Sequence, residues 1–311
     1  YDEITLSSLS TCDYPRLREL LEKLKPLCDS RHVSISLPST RVDSFEAEYV
    51  ASTRISSLTF APEAGTQRLR DVINKNVTEA DVLDALTAAF RKGYSSVKLY
   101  FMLGLPTETM EDVAGIAALC EKIQTLYRTE KRSAKPLALS VSTSTFVPKP
   151  FTPFQWERQF TEAEITERQA YLKDKLRAMR VKYSYHDIHA SRLEAAFSRG
   201  DARLGKVLTA AYARGCIFDG WTERLDAEQW YAAFADAGVT VDEYTRERDE
   251  TEALPWSFVN AGVSEKFLLA ERHRAYRGET TPDCRGGCHN CGIAAAQPEA
   301  FAAACTQGRR A

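Results

Sequence analysis

Lys98-Leu99-Tyr100-Phe101-Met102-Leu103-Gly104-Leu105-Pro106-Thr107-Glu108-Thr109 is the stretch on which the fold turns. Val97 to Leu103 is an apolar run of strand length. Gly104 and Pro106 end it, one residue free in φ and one that fixes φ. Thr107 or Thr109 then starts a helix whose first turn carries Glu108, Glu111 and Asp112, the charge sign that a helix N-terminus favours. A strand passed directly to a helix is the unit of a parallel sheet, in which each crossover helix covers one face.

The unit recurs on both sides. Upstream, residues 2–9 read as a strand, and a helix follows with Asp13 as cap and Pro15 in its first turn. Leu17, Leu20, Leu21, Leu24 and Leu27 continue it at helical spacing. Val33 to Leu37 is a short strand closed by Pro38, and 44–51 a short helix. Leu58 to Ala61 is a strand ending in Pro62-Glu63-Ala64-Gly65. Thr78 caps a helix bearing Val82, Leu83, Leu86 and Phe90, which stops at Gly93. Downstream, Leu137 to Phe146 is a strand, 161–180 a charged amphipathic helix, and Val181 to Ile188 a further strand. Beyond 189 only helices are expected, at 190–199, 203–214, 226–236 and 264–275, packed by Trp221, Trp230 and Trp256. The Ala-rich end, 294–304, reads as a loosely attached helix.

The expected fold class is therefore α/β: a partial (β/α) TIM-type barrel followed by a mostly helical extension. Tyr1 is followed at once by strand-like Ile4-Thr5-Leu6 with no initiator Met, so the barrel is expected to lack its first β/α unit. The expected division is barrel 1–189, helical extension 190–280 and cysteine-rich metal-binding tail 281–311. No glycine-rich dinucleotide fingerprint or P-loop follows any strand, which argues against a nucleotide-binding open sheet.

Composition narrows the function classes. The 311 residues are 44% hydrophobic and 27% charged, with a net charge of -2. No global basic field points to nucleic acid, so any RNA contact would be local. The longest apolar runs fall short of the ~20 residues that cross a bilayer, and no signal peptide opens the chain. Of 8 cysteines, Cys12, Cys28, Cys120 and Cys216 are scattered; Cys284, Cys288 and Cys291 are clustered, and Cys305 lies near the end. That usage suggests a reducing cytoplasm without membrane attachment, where a tight cluster means metal and not disulfides.

Polar residues gather where the strands end: Ser7, Ser8 and Ser10; Ser36 and Ser39; Glu63; Gly104 to Glu108; Ser142 to Thr145; and His186. In parallel α/β folds these ends carry the chemistry, because their loops converge on one rim. Glu63 also stands where it would cap a helix beginning near Gly65. Lys98 reads as an outward or paired lysine, or as the Schiff-base nucleophile of a cluster-free barrel lyase or hydrolase. His186 and His189 read as packed polar residues.

Three segments carry a family resemblance: Phe60-Ala61-Pro62-Glu63-Ala64-Gly65-Thr66-Gln67-Arg68-Leu69, the stretch quoted first, and Thr145-Phe146-Val147-Pro148-Lys149-Pro150-Phe151-Thr152-Pro153-Phe154. In this order and spacing they resemble the fourth, fifth and sixth strands of radical SAM (S-adenosylmethionine) enzymes of the methylthiotransferase and elongator type. They are most similar to an uncharacterised subfamily with an N-terminal cobalamin-binding domain. The resemblance runs from Tyr1 to about Cys291. It implies a four-iron, four-sulfur (4Fe-4S) cluster that binds SAM and reduces it to a 5′-deoxyadenosyl radical. By position, Ser7 and Ser8 match the contact to the SAM amino group. Glu63 matches the residue that bonds the ribose hydroxyls, and Gly104, Leu105 and Pro106 match the turn where backbone meets adenine. The cluster ligands, a C-x3-C-x2-C loop, are expected roughly 30–50 residues upstream of Tyr1. By that reading this chain alone is inactive. Cobalamin would enter only through a domain absent here. The substrate is open (RNA, protein or small molecule), with a flavodoxin or ferredoxin as electron donor.

A second C-x3-C-x2-C is present as Cys284-Arg285-Gly286-Gly287-Cys288-His289-Asn290-Cys291. No strand leads into it and no barrel helix follows. The spacing points to structural zinc or an accessory cluster ahead of unligated thiols or the SAM-binding cluster itself, with the fourth ligand from His289, Cys305 or another segment, or left open. A non-catalytic metal-binding interaction module is the remaining alternative.

Overall fold

The computed structural model describes residues 1–8, 14, 16–36, 58–131, 134–284 and 287–296. Two parallel sheets alternate with helices. The first pairs β1 (Glu3–Thr5) with β2 (Ser34–Ser36), joined by the helix Leu17–Asp29. The second has four strands in sequence order: β3 (Leu58–Glu63), β4 (Ser96–Leu103), β5 (Ala138–Thr145) and β6 (Lys182–Tyr185). Every pairing is parallel, so the α/β class holds.

The helices form where the sequence signals them. Thr78 closes a capping box with Asp81 at the start of Glu79–Arg91, and Thr109 does so with Asp112 at the start of Met110–Glu130. The helix Glu162–Ala178 opens on a third box, Thr161 with Glu164. Gly93 ends the first of these at φ 95, a left-handed geometry that glycine takes without cost. The buried positions of β4 (Val97, Leu99, Phe101 and Leu103) alternate along the strand and pack under these helices in one large core.

After β6 the described structure is helical: Ile188–Arg199, Leu204–Ala213, Ala227–Asp236, Val241–Thr245 and Glu265–Tyr276. The first four share their own core around Trp230, Phe234 and Tyr244. They attach to the sheet through the segment after β5. The Gln159 side chain donates to the Phe146 and Ser191 carbonyls at 3.3 and 3.1 Å, and its backbone N–H donates to Thr245 O at 2.8 Å.

Some boundaries differ from expectation. The first strand is only Glu3–Thr5, and its helix begins at Leu17 without a side-chain cap; Asp13 and Pro15 lie outside the described residues. So does the expected helix at 44–51. The Ala-rich helix is described only as Ile293–Ala296.

Candidate functional site

A cavity of about 340 Å³ opens where β3, β4 and β5 end. That size lies within the ~300–1,000 Å³ usual for small-molecule sites. Glu63 supplies a carboxylate from the end of β3. Met102 and Leu105 come from the end of β4, and Phe146 and Val147 from the residues after β5. The turn at Ile73, Asn74 and Lys75 forms another wall. The last wall comes from the far end of the chain, as Glu271, Ala275 and Glu279.

Glu63 is held in an unusual backbone. Its φ is 66°, and the β3–β4 register shifts between Phe60 and Glu63. A left-handed glutamate costs of order 1 kcal/mol or more, so the surrounding structure must impose it. The side chain is 26% exposed, and its Oε1 lies 3.4 Å from Lys75 Nζ. Glu63 does not cap the next helix. Thr66 does, its Oγ1 accepting from the Leu69 N–H at 3.3 Å ahead of Gln67–Val72.

What fixes Glu63 is the loop behind it. Gly65 lies against the first turns of Met110–Glu130, and a methyl group there would meet the Asp112 carbonyl and the Ile116 nitrogen. Asp112, nearly buried, accepts from the Thr66 hydroxyl and the Arg68 guanidinium, and from the Thr109 N–H and hydroxyl at 2.9 Å each. Burial acts to raise the pKa of Asp112, but these donors outweigh it and hold the carboxyl below its ordinary value. Arg68 also reaches the Thr107 carbonyl at 2.9 Å. The loop after β3 and the turn after β4 are thereby tied into one rim.

The Gly104 turn has its own lock. Gly104 adopts φ 81, and its N–H donates to both oxygens of Glu108 at 3.0 Å. Glu108 is buried and also accepts from Arg168 Nε at 2.7 Å. A methyl on Gly104 would stand 3.0 Å from Ile165 and 3.1 Å from Phe160, so the bare backbone packs against the protein. Leu105 lines the cavity, whereas Gly104 and Pro106 lie beside it in sequence without lining it. Ser7 and Ser8 are exposed beyond β1 and do not line it either.

The helix Glu265–Tyr276 is clamped to this rim. Glu157, buried, accepts from Arg272 Nε at 2.7 Å and from the Tyr276 hydroxyl at 2.8 Å. Asn74 Oδ1 accepts from the Thr281 N–H at 2.9 Å, which draws the chain after the helix onto the cavity edge. Sequence reasoning gave this wall no role. Nothing in a lone charged helix marks which end of a barrel it will cover.

Lys98 lies off the cavity, with its ammonium 4.6 Å from the centre of the Tyr100 ring. His189 shares a hydrogen bond of 2.8 Å with the Tyr231 hydroxyl. Cys284 and Cys288 are exposed and Cys291 is half-buried, all as free thiols; Cys305 lies outside the described residues. Among the described residues no three Cys, His, Asp or Glu side chains are gathered as a metal site. The Cys291 carbonyl accepts from the Ser264 N–H at 2.8 Å, at the opposite end of the helix from the cavity.

The cavity joins apolar walls from Met102, Leu105 and Phe146 to the charged side chains of Glu63, Lys75, Lys149, Glu271 and Glu279, a lining suited to a small molecule. Residues 1–120, which carry Glu63 and the Gly104 turn, match the Radical SAM superfamily. The chain is also 29% identical over 240 residues to an uncharacterized protein of Methanocaldococcus jannaschii. That alignment takes in 76% of this chain, and the chain spans about half the length of its relative. No helix among the described residues is long and apolar enough to cross a membrane.

Proposed function

We propose that the cavity at the ends of β3, β4 and β5 is the adenosyl site of a radical SAM enzyme. The observation that carries this is the strained Glu63 carboxylate facing an apolar slot, on a segment that matches the superfamily. The residues present fit the adenosyl group. Glu63 accepts two hydroxyl hydrogens, as vicinal ribose hydroxyls require. Met102, Leu105 and Phe146 offer an apolar surface for a purine face. Ser7 and Ser8 are assigned to the SAM amino group on the resemblance alone, as are Gly104 and Pro106 to the adenine edge.

When bound, SAM and a 4Fe-4S cluster supply a carbon-centred radical able to take hydrogen from a substrate. This chain's own part is to hold the nucleoside in one pose, since misplacement loses the radical to side reactions. The described residues offer no ligand set for the cluster, which on this reading is bound by cysteines upstream of Tyr1. The enzyme's cytoplasmic setting, its flavodoxin or ferredoxin donor and the subfamily with cobalamin belong to the same proposal. Sequence spacing alone supports the metal on Cys284, Cys288 and Cys291, and an ion there would have to draw the three thiols together.

The test is calorimetric titration with S-adenosylhomocysteine, which needs no cluster turnover. Saturable binding is expected, weakened about tenfold to a hundredfold by Glu63→Ala through loss of charge-assisted hydrogen bonds. Equal affinity for both proteins would remove Glu63 from the site.

A further inference from the structure

The four-stranded sheet has two unlike faces. One lies under the helices and is apolar, as both faces of a parallel sheet ordinarily are. The other is polar. Thr59, Lys98, Ser140 and Lys182 stand side by side in a single row across all four strands. Two residues on, Tyr100, Ser142 and Ser184 form the next row. Register puts each row on one face, because side chains alternate along every strand.

The charge on this face is one-sided. Neither Lys98 nor Lys182 has a carboxylate within ion-pair distance among the described residues, and Lys98 is half-buried against the Tyr100 ring. The only carboxylate in β3 to β6 is Glu63, at the opposite end of the sheet. Lys98 has only the Tyr100 ring beside it and Lys182 is exposed, so neither ammonium meets a carboxylate of the described residues on a face that carries the hydroxyls of Thr59, Ser140, Ser142 and Ser184. Hydroxyls beside ammonium groups are the donor set that a phosphate or carboxylate takes.

We propose that this row holds the anionic end of a small-molecule substrate, with Lys98 and Lys182 flanking Ser140 as its two cations. The inference rests on the adenosyl reading for what lies at the other end. Met102 at the cavity lies four residue steps beyond Lys98, about 13 Å along the strand. The substrate therefore carries its phosphate or carboxylate about that far from the carbon that reacts. The two lysines are two strands apart, about 10 Å between backbones, a gap that one anion bridges. A row four strands wide suits one small molecule, and a chain of net charge -2 lacks the field that holds a polyanion.

Amine footprinting on the full chain tests this, with acetic anhydride as reagent, inorganic pyrophosphate as probe and mass spectrometry as readout. Modification of Lys98 and Lys182 is expected to slow about tenfold at a probe concentration ten times the dissociation constant, while Lys122 and Lys173 are unchanged. Unchanged rates at both lysines, or protection spread evenly over the surface, overturns the proposal. Protection by a short oligoribonucleotide but not by pyrophosphate overturns the small-molecule assignment. In calorimetry, a Lys98→Met, Lys182→Met double variant is expected to lose pyrophosphate and keep S-adenosylhomocysteine; retained pyrophosphate binding contradicts the site. If the double variant fails to fold, the footprint on the unaltered protein decides. Protection by pyrophosphate without any binding of S-adenosylhomocysteine would remove the adenosyl reading and leave the anion site standing.

Discussion

Glu108 holds Gly104: both oxygens of its carboxylate lie 3.0 Å from the Gly104 nitrogen, while Arg168 closes the pair from the other side at 2.7 Å. The glutamate that follows the Gly-Leu-Pro turn is thus a buried pin that sets the rim of the site. Glu108→Ala leaves Arg168 buried without its partner. The expected loss is about 3–5 kcal/mol in denaturant unfolding, the range for breaking one side of a buried pair. Glu108→Gln keeps an acceptor for the Gly104 N–H and is expected to lose clearly less. Equal losses would mean that the charge facing Arg168, and not the acceptor offered to the Gly104 N–H, carries the whole effect.

Gly65 and Gly93 are glycines for different reasons, and substitution separates them. A methyl on Gly65 meets the backbone of Asp112 and Ile116, whereas one on Gly93 meets nothing within 4 Å. Gly93→Ala is expected to cost about 1–2 kcal/mol, from its left-handed φ alone. Gly65→Ala forces two backbones apart and is expected to cost more, about 3 kcal/mol, and to weaken S-adenosylhomocysteine binding because the loop carries Glu63. Thermal unfolding of both variants with parallel titrations checks the order.

Two glutamates give acid responses of opposite sign. Arg158 hydrogen-bonds the Glu164 carboxylate and pulls its pKa down to about 2 from an ordinary 4.5. Its contribution is fully present above the unfolded value and is lost as pH falls from about 4.5 towards 2. Burial pushes Glu108 upward despite its bonds to Gly104 and Arg168, so its ionisation removes stability as pH rises from 4.5 through the folded value. Urea midpoints measured between pH 2 and 7 are expected to fall less steeply at the acid end in Glu164→Gln. In Glu108→Gln the change is expected above pH 4.5 instead. Parallel curves for both variants and the parent would contradict the assignments.

The thiols of Cys284, Cys288 and Cys291 are expected to take up one metal ion per chain on anaerobic reconstitution. Elemental analysis with zinc and with iron in separate preparations checks this, and Cys288→Ser is expected to lower the stoichiometry by at least half, since three ligands become two. Zinc uptake without iron would exclude an accessory cluster at this position.

Much of the rim was legible because its elements announce themselves locally. The run Val97 to Leu103 with Gly104 behind it, and Thr78 and Thr109 ahead of their helices, specify strand, turn and cap within a few residues. Glu63 and Leu105 were placed at strand ends, and both line the cavity. Lys75, Phe154 and Glu271 were not found. They reach the cavity through contacts between distant segments, such as Asn74 with Thr281 and Glu157 with Arg272, for which no local pattern exists. In the sequence Gly104 reads as a glycine that admits a ligand. Its positive φ and the closeness of Ile165 also give it a conformational and packing reason.

The adenosyl assignment is tested most directly by hydrogen exchange with and without S-adenosylhomocysteine. Ligand is expected to slow exchange at 63–75, 102–106, 146–154 and 271–279, the four segments that wall the cavity. Slowing confined to the helices beyond residue 188, or no slowing at saturating ligand, would contradict it.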